Sequence, residues 1–107
     1  METDRPEEAW GALGDGTRRA IVLSLAEGPK AVGQLADGLP VTRPAVSQHL
    51  KVLKDAGLVA EEPHGTRRIY HLNAAGLTAL RDQLDTFWNR ALSGFEVLSE
   101  TTEQERP

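Results

Sequence analysis

The chain has 107 residues, no cysteine and a formal net charge of −4. This length fits one domain with a modest core, and the lack of cysteine excludes disulfides, thiolate metal sites and cysteine nucleophiles. No apolar run approaches the ~20 residues of a membrane span, and the first ten residues contain neither a basic nor an apolar signal segment. We therefore expect a cytoplasmic protein that does not engage a membrane.

The charge is unevenly distributed along the chain. Residues 42–72 contain five Lys or Arg against three Asp or Glu, a balance of +2, together with all three histidines. The flanking segments, 1–41 and 73–107, each carry −3. Because local charge governs contact with phosphate groups more than the total does, the basic middle is a candidate nucleic-acid contact.

The first third of the chain predicts three short helices, at residues 7–13, 17–26 and 31–37. Asp15 has the side chain expected of an N-cap for the second helix, and the Gly-Pro pair that follows this helix ends it. Gly38 and Pro40 end the third helix. The residues that the second helix turns inward are Ile21, Val22 and Leu25. Residues 1–6 are predicted to be flexible.

The fourth predicted helix, residues 42–56, has two unlike faces. Thr42 is its N-cap, and Pro44 lies in the first turn, where a missing N–H group costs little. At ~100° per residue, the apolar face comprises Ala45, Val46, Leu50, Val52, Leu53 and Ala56. The polar stripe on the other side comprises Arg43, Ser47, Gln48, Lys51 and Lys54. A helix of this kind can rest on a domain and enter a DNA major groove.

His49 lies at the centre of the apolar side of the fourth helix. We therefore expect it to be packed and hydrogen-bonded rather than to contact a base. Ser47 and His49 point ~200° apart on the helix, so they cannot share a proton as a nucleophile and its base would. With no glycine-rich phosphate loop and no paired carboxylate site either, we expect no enzymatic activity.

A β-hairpin follows Gly57, with strands at residues 59–63 and 67–72. Pro63 suits an edge strand, because proline cannot donate a backbone hydrogen bond. The imperfect alternation leaves the faces of the hairpin unassigned. The turn between the strands comprises His64, Gly65 and Thr66, and the adjacent Arg67 and Arg68 suit a narrow, negatively charged DNA minor groove.

A last helix is predicted at residues 74–99, capped by Asn73, with a flexible tail at 100–107. A helix of this length is ~39 Å long, so a domain this small cannot cover its whole apolar stripe. A partner helix from a second copy of the chain is the simplest cover, and Trp10 is a predicted neighbour. The predicted dimer contacts are Trp10, Leu77, Leu80, Leu84, Phe87, Trp88, Ala91, Leu92 and Phe95.

The predicted fold is mainly α with a small β-hairpin: a winged helix-turn-helix with a long C-terminal helix for dimerisation, occupying residues 7–99. The segments PAVSQHLKVLKDAGLV (44–59) and RRIYHL (67–72) resemble the ArsR family of bacterial transcriptional repressors. The resemblance covers roughly residues 10–95, although Gly16 stands where many members have proline. It implies a homodimeric repressor that binds an inverted-repeat operator in double-stranded DNA and controls its own operon.

The candidate DNA contacts lie on the fourth helix and on the hairpin. On the helix they are Thr42, Arg43, Pro44, Ser47, Gln48, Lys51 and Lys54. On the hairpin they are His64, Gly65, Thr66, Arg67 and Arg68. Gln48 can pair with adenine, Ser47 can contact a base or a phosphate, and Arg43 can contact guanine or a phosphate.

Two alternatives to this function stay open at this point. The first is a winged-helix module that binds protein rather than DNA, against which the basic stripe argues. The second is a metal-responsive repressor, because many relatives of this family release DNA on binding a metal. Their metal sites use cysteines, or carboxylates and histidines on the last helix. This chain has no cysteine and no histidine after Asn73, so we expect neither a regulatory metal nor a cofactor.

Overall fold

The computed structural model describes the backbone of residues 6–104 and the side chains of residues 8–95. Five helices and three strands follow one another along the chain. They are α1 (Pro6–Ala12), α2 (Gly16–Ala26), β1 (Lys30–Ala31), α3 (Val32–Asp37), α4 (Arg43–Asp55), β2 (Val59–His64), β3 (Arg67–Leu72) and α5 (Ala74–Gln104). The predicted flexibility of residues 1–5 and 105–107 lies outside the described residues.

Helix α2 begins as the sequence predicts. The Asp15 carboxylate accepts a hydrogen bond from the backbone N–H of Arg18, at 3.0 Å, which satisfies one unpaired donor of the first turn. That bond holds the pKa of Asp15 below its ordinary value. Ile21 and Leu25 are buried and Val22 packs against the core, so the predicted inward face of this helix is confirmed.

The apolar face of α4 forms the centre of the core. Its residues Val46, Leu50 and Leu53 are at most 1% exposed, and they pack with Ile21 of α2 and Leu35 of α3. The predicted inward placement of Val52 is wrong, because this side chain is 41% exposed. It lies at the edge of the apolar face, where it lines a cleft of about 360 Å³ between α4, α1 and α2.

His49 is held between α4 and α2, as its position on the helix predicts. Its Nδ1 atom lies 3.4 Å from Nη1 of Arg18 and 3.9 Å from the carboxylate of Asp15. The ring is 23% exposed. The prediction of a packed, hydrogen-bonded histidine is confirmed, and the side chain helps to fix α4 on α2.

The strands form one antiparallel sheet in the order β1-β3-β2. The expectation of a two-stranded wing is incomplete, because Lys30 and Ala31 pair with Tyr70 and Ile69 of β3. Two residues are too short to show an alternating pattern, and their partners lie far along the chain. Pro63 lies on the edge strand β2, as predicted.

Helix α5 starts against the corner that joins α4 to β2. The Asn73 carboxamide caps it by accepting a hydrogen bond from the N–H of Ala75, and the Asn73 N–H donates to the carbonyl of Leu58. Gly76 lies so close to this corner that an added Cβ would be 1.8 Å from the carbonyl oxygen of Gly57. The helix continues to Gln104, so the predicted end at Ser99 is wrong by five residues. The polar character of residues 100–104 did not mark the end of the helix, because these residues include Glu and Gln, which favour helices.

Candidate nucleic-acid interface

Helix α4 presents its polar stripe to solvent because its opposite face is locked into the core. The Thr42 hydroxyl accepts a hydrogen bond from the N–H of Ala45, at 3.3 Å, and Pro44 lies in the first turn, so the predicted cap is confirmed. The five stripe residues are all exposed: Arg43, Ser47, Gln48, Lys51 and Lys54. The remaining N–H groups of the first turn point out of the helix end, where anions bind readily.

The hairpin of β2 and β3, hereafter the wing, presents its turn to solvent beside α4. Gly65 has a φ of +65°, which a glycine adopts without strain and which permits the two-residue turn between His64 and Arg67. The five predicted contacts of the wing are all exposed: His64, Gly65, Thr66, Arg67 and Arg68.

Two clefts join the stripe to the wing. A cleft of about 490 Å³ lies between α3, α4 and β3, and its lining includes Arg43, Ser47, Arg67 and Arg68. A second cleft, of about 250 Å³, is lined by Lys51, Lys54 and residues of the wing, with Ser47 common to both. The larger cleft therefore brings together predicted contacts from both elements, and the two clefts share Ser47 and Tyr70.

The cations of this surface differ in their partners. Lys51 pairs with Asp55 one turn along α4, at 2.9 Å. Lys54 and Arg68 both contact the carboxylate of Glu61, at 2.7 and 3.0 Å. Within the described part of the chain, Arg43 and Arg67 form no ion pair.

The Arg43 guanidinium rests on α3. Gly33 approaches it so closely that an added Cβ would lie 3.0 Å from the Nη2 atom of Arg43. The absence of a side chain at position 33 therefore leaves room for this guanidinium at the mouth of the larger cleft.

Glu61 is the main acidic group on this side of the wing. The pKa of its carboxyl lies below the ordinary value, first because Lys54 donates a hydrogen bond to it and then because the Tyr70 hydroxyl does. Burial raises the pKa of Tyr70, and its bond to the Glu61 carboxylate adds to that effect. The Glu61 side chain of the wing is therefore held ionised beside α4.

The other face of the wing carries Glu62 and two histidines. The Glu62 carboxylate lies 3.9 Å from Nε2 of His64 and 3.4 Å from Nε2 of His71. In the part of the chain that the structure describes, no group of three or more His, Asp or Glu side chains is placed to hold a metal ion.

An exposed apolar face runs along α5 and includes part of α1. Its large side chains are between 40% and 69% exposed: Trp10, Leu84, Phe87, Trp88, Leu92 and Phe95. The ring of Trp10 meets that of Phe87 edge-to-face, with centroids 5.9 Å apart. The prediction that Trp10 is a neighbour of the last helix is therefore confirmed. We name these six residues the aromatic face.

Three of the predicted dimer contacts on α5 are less exposed than these six residues. Leu80 is only 8% exposed and belongs to the core of its own chain, because the first turns of α5 pack on the domain. Leu77 also packs against that core, and Ala91 is half-buried. Leu80 therefore has little surface left for a partner.

Sequence reasoning missed Glu61, Tyr70 and Gly33. Glu61 and Lys54 are on different elements, and no periodic pattern relates them. The available signal was an acidic residue within the basic segment, but the sequence alone assigned this residue no role other than lowering the local charge.

In the part of the chain that the structure describes, none of the helices combines the length and the apolar character of a membrane span.

Comparison with known proteins identifies the family. Residues 15–61 match the model of the family described as "Bacterial regulatory protein, arsR family". The chain is 65% identical over 99 residues to the HTH-type transcriptional regulator Rv2034 of Mycobacterium tuberculosis, which covers 92% of each protein. It is 46% identical over 69 residues to the HTH-type transcriptional repressor SmtB of the same species, covering 64% of this chain and about half (51%) of that repressor.

A solved structure supports the same fold. The homodimeric winged helix-turn-helix DNA-binding domain of Mb0332 from Mycobacterium bovis, a possible ArsR-family transcriptional regulator, has a TM-score of 0.64 and 28% identity. The match covers 78% of this chain and 77% of that one. The sequence segments, the wing beside α4 and these relatives agree, and the chain is a winged helix-turn-helix protein that belongs to the ArsR family of bacterial regulatory proteins.

Proposed function

We propose that this protein is a transcriptional repressor that binds an inverted-repeat operator as a homodimer, with its own promoter among its targets. The observation that carries the proposal is the pairing of two faces on α4. One face is fixed in the core, and the other presents an exposed stripe of polar and basic side chains beside a wing with two exposed arginines, Arg67 and Arg68. The names of the relatives, a regulator and a repressor, agree with this function.

The stripe and the wing provide two kinds of contact to DNA, to phosphates and to base edges. The N-terminal turn of α4, with Thr42 and its N–H groups, suits a phosphate, and Lys51 and Arg67 add positive charge that attracts the backbone of any DNA. Gln48 carries the amide that pairs with adenine in the major groove. Phosphate contacts set the position of the helix on the DNA, and contacts to base edges, such as that of Gln48, select the sequence.

The homodimer follows from the aromatic face. Six large apolar side chains of α5 and α1 are 40% or more exposed, and an exposed apolar face of this kind marks an interaction site. A two-fold axis through this surface pairs it with itself. The same axis sets two α4 helices about one DNA turn apart, ~34 Å, and so requires inverted half-sites.

Mobility-shift titrations test the proposal with a duplex that the wild-type protein enriches from a random library. We expect Gln48→Ala to cost about 1–3 kcal/mol on this duplex and to relax one base position. Lys51→Ala weakens binding to every sequence and lowers the salt slope by about one. Arg81→Ala, which removes an exposed cation from α5, is the charge-matched control and leaves both quantities unchanged.

Two results would reject the proposal. One is a wild-type protein that enriches no sequence; if it also does not shift random DNA at low salt, a protein-binding module is favoured. The other is retention of wild-type affinity and specificity by both stripe variants.

A further inference from the structure

Glu61 links helix α4 to the wing. Its carboxylate oxygen Oε1 accepts from Nζ of Lys54, at 2.7 Å, and from Nη1 of Arg68, at 3.0 Å. The Glu61 side chain is 17% exposed, whereas those of Lys54 and Arg68 are 49% and 69% exposed. One inner carboxylate therefore holds two outer cations.

The two cations come from the two elements that are proposed to contact DNA. Lys54 lies in the last turn of α4, and Arg68 lies on β3, where it pairs with Pro63. Glu61 faces Tyr70 across the hairpin. The bond from Lys54 therefore joins α4 to the wing, and the bond from Arg68 holds the same carboxylate within the wing.

The other ion pairs of this surface lack this arrangement. Lys51 and Asp55 pair within α4 and are 76% and 64% exposed, so they connect no separate elements. Glu62, the next residue of β2, is 62% exposed and faces histidines on the opposite side of the wing. Glu62 therefore provides a matched control: a neighbouring carboxylate without a bond to α4.

Lys54 and Arg68 keep donors for DNA while they contact Glu61. An ammonium group has three N–H donors and a guanidinium has five, and each donates one bond to Oε1. Because both side chains are more exposed than that of Glu61, their remaining donors are accessible to a backbone phosphate. An exposed ion pair contributes only about 0–1 kcal/mol to stability, so orientation is the larger consequence of this arrangement.

We propose that Glu61 is a positioning residue for sequence-specific DNA binding, acting through Lys54 and Arg68 to hold the wing at a fixed place beside α4. This inference rests on the proposed DNA-binding function. Without the carboxylate, the two cations still attract DNA, but the wing no longer has a fixed position relative to α4 when both contact the duplex. Glu61 thus favours the correct sequence over other sequences, although its own charge opposes binding to any DNA.

The test compares Glu61→Gln with Glu62→Gln. Each variant removes one negative charge from β2 and keeps the size of the side chain. The probes are a duplex enriched by the wild-type protein and a scrambled duplex of the same composition. The measured quantity is the ratio of the two dissociation constants, with folding of each variant checked by urea unfolding.

We expect Glu61→Gln to lower the preference for the enriched duplex about tenfold, while its affinity for the scrambled duplex is equal or slightly higher. Glu62→Gln keeps the preference within about twofold of wild type. Loss of a merely structural contact would lower both affinities together, so the ratio separates positioning from stability.

A double-mutant cycle tests the same carboxylate from the helix side, and its Lys54→Gln variant tests the contact without any change at Glu61. Lys54→Gln changes an exposed side chain and is expected to lower the preference as well. Since both changes break one contact, the double variant loses less preference than the product of the two single losses.

Several results would overturn the inference. An unchanged ratio of the two dissociation constants in Glu61→Gln does so. If both duplexes bind equally more tightly, Glu61 only masks positive charge. Independent, multiplicative losses in the cycle also do so. These outcomes leave the proposed function standing, whereas a wild-type protein with no sequence preference would reject both.

Discussion

Replacing Phe87 and Trp88 together with glutamate is expected to convert the protein to monomers and to abolish operator binding. These side chains are 53% and 63% exposed in the single chain, and both belong to the aromatic face. Full burial of a large apolar side chain contributes about 1.5–3 kcal/mol. About half of each side chain remains to be buried, so the four side chains of a dimer contribute about 3–6 kcal/mol.

That free energy corresponds to a factor of about 10² to 10⁴ in the dimer dissociation constant. Four new carboxylates at the interface add an unfavourable desolvation term, which makes this factor a lower bound. Sedimentation equilibrium across a concentration series measures the change directly. Operator binding falls with it, because one subunit supplies only half of the phosphate contacts.

The matched control is Leu23→Glu. Leu23 is 70% exposed but lies on α2, outside the aromatic face, so this variant is expected to dimerise as the wild type does. A double variant at Phe87 and Trp88 that still forms a wild-type dimer would refute the reasoning, and it would show that the interface lies on another surface.

Three further predictions concern packing, pH and metal. Gly76→Ala is expected to lower the free energy of unfolding by about 1–3 kcal/mol, because its Cβ would overlap the Gly57 carbonyl. Gly16→Ala, whose Cβ would meet only the end of Arg19 at 3.6 Å, stays neutral or stabilises in the same urea titration; equal losses would contradict the packing. The pKa of Glu61 is lowered on folding, so its contribution to stability is full above its ordinary pKa of 4.5 and is lost as pH falls through the folded value. The stability difference between wild type and Glu61→Gln should therefore shrink on acidification, and a difference that grows would contradict that sign. Operator affinity should agree within about twofold between chelator and added zinc; a tenfold loss with stoichiometric zinc would indicate a metal response.

Patterns local to one helix were readable from the sequence. The two faces of α4 follow from residue spacing, and so does the half-buried His49, because a helix wheel fixes which side a residue takes. The caps at Asp15, Thr42 and Asn73 follow from short-range chemistry that needs no tertiary information. The exposed aromatic face was predicted from the length of α5 against the size of the domain.

Features that depend on contacts between distant segments were not readable. Strand β1 exists because Lys30 and Ala31 meet β3, and nothing in two residues encodes that partner. The bonds from Lys54 and Arg68 to Glu61 join separate elements, so their pairing appears only once the wing is folded beside α4. Leu80 shares the spacing of the stripe, but burial by its own domain removes it from the exposed face.

In the proposed repressor, two copies of α4 contact an inverted repeat in DNA. Hydroxyl-radical footprinting of the wild-type protein on its enriched duplex tests it most directly. We expect symmetric protection of two half-sites with centres about one helical turn, ~34 Å, apart, and altered base selection at one position in each half with Gln48→Ala. A single asymmetric patch of protection, or a symmetric footprint whose base selection Gln48→Ala leaves unchanged, would contradict it.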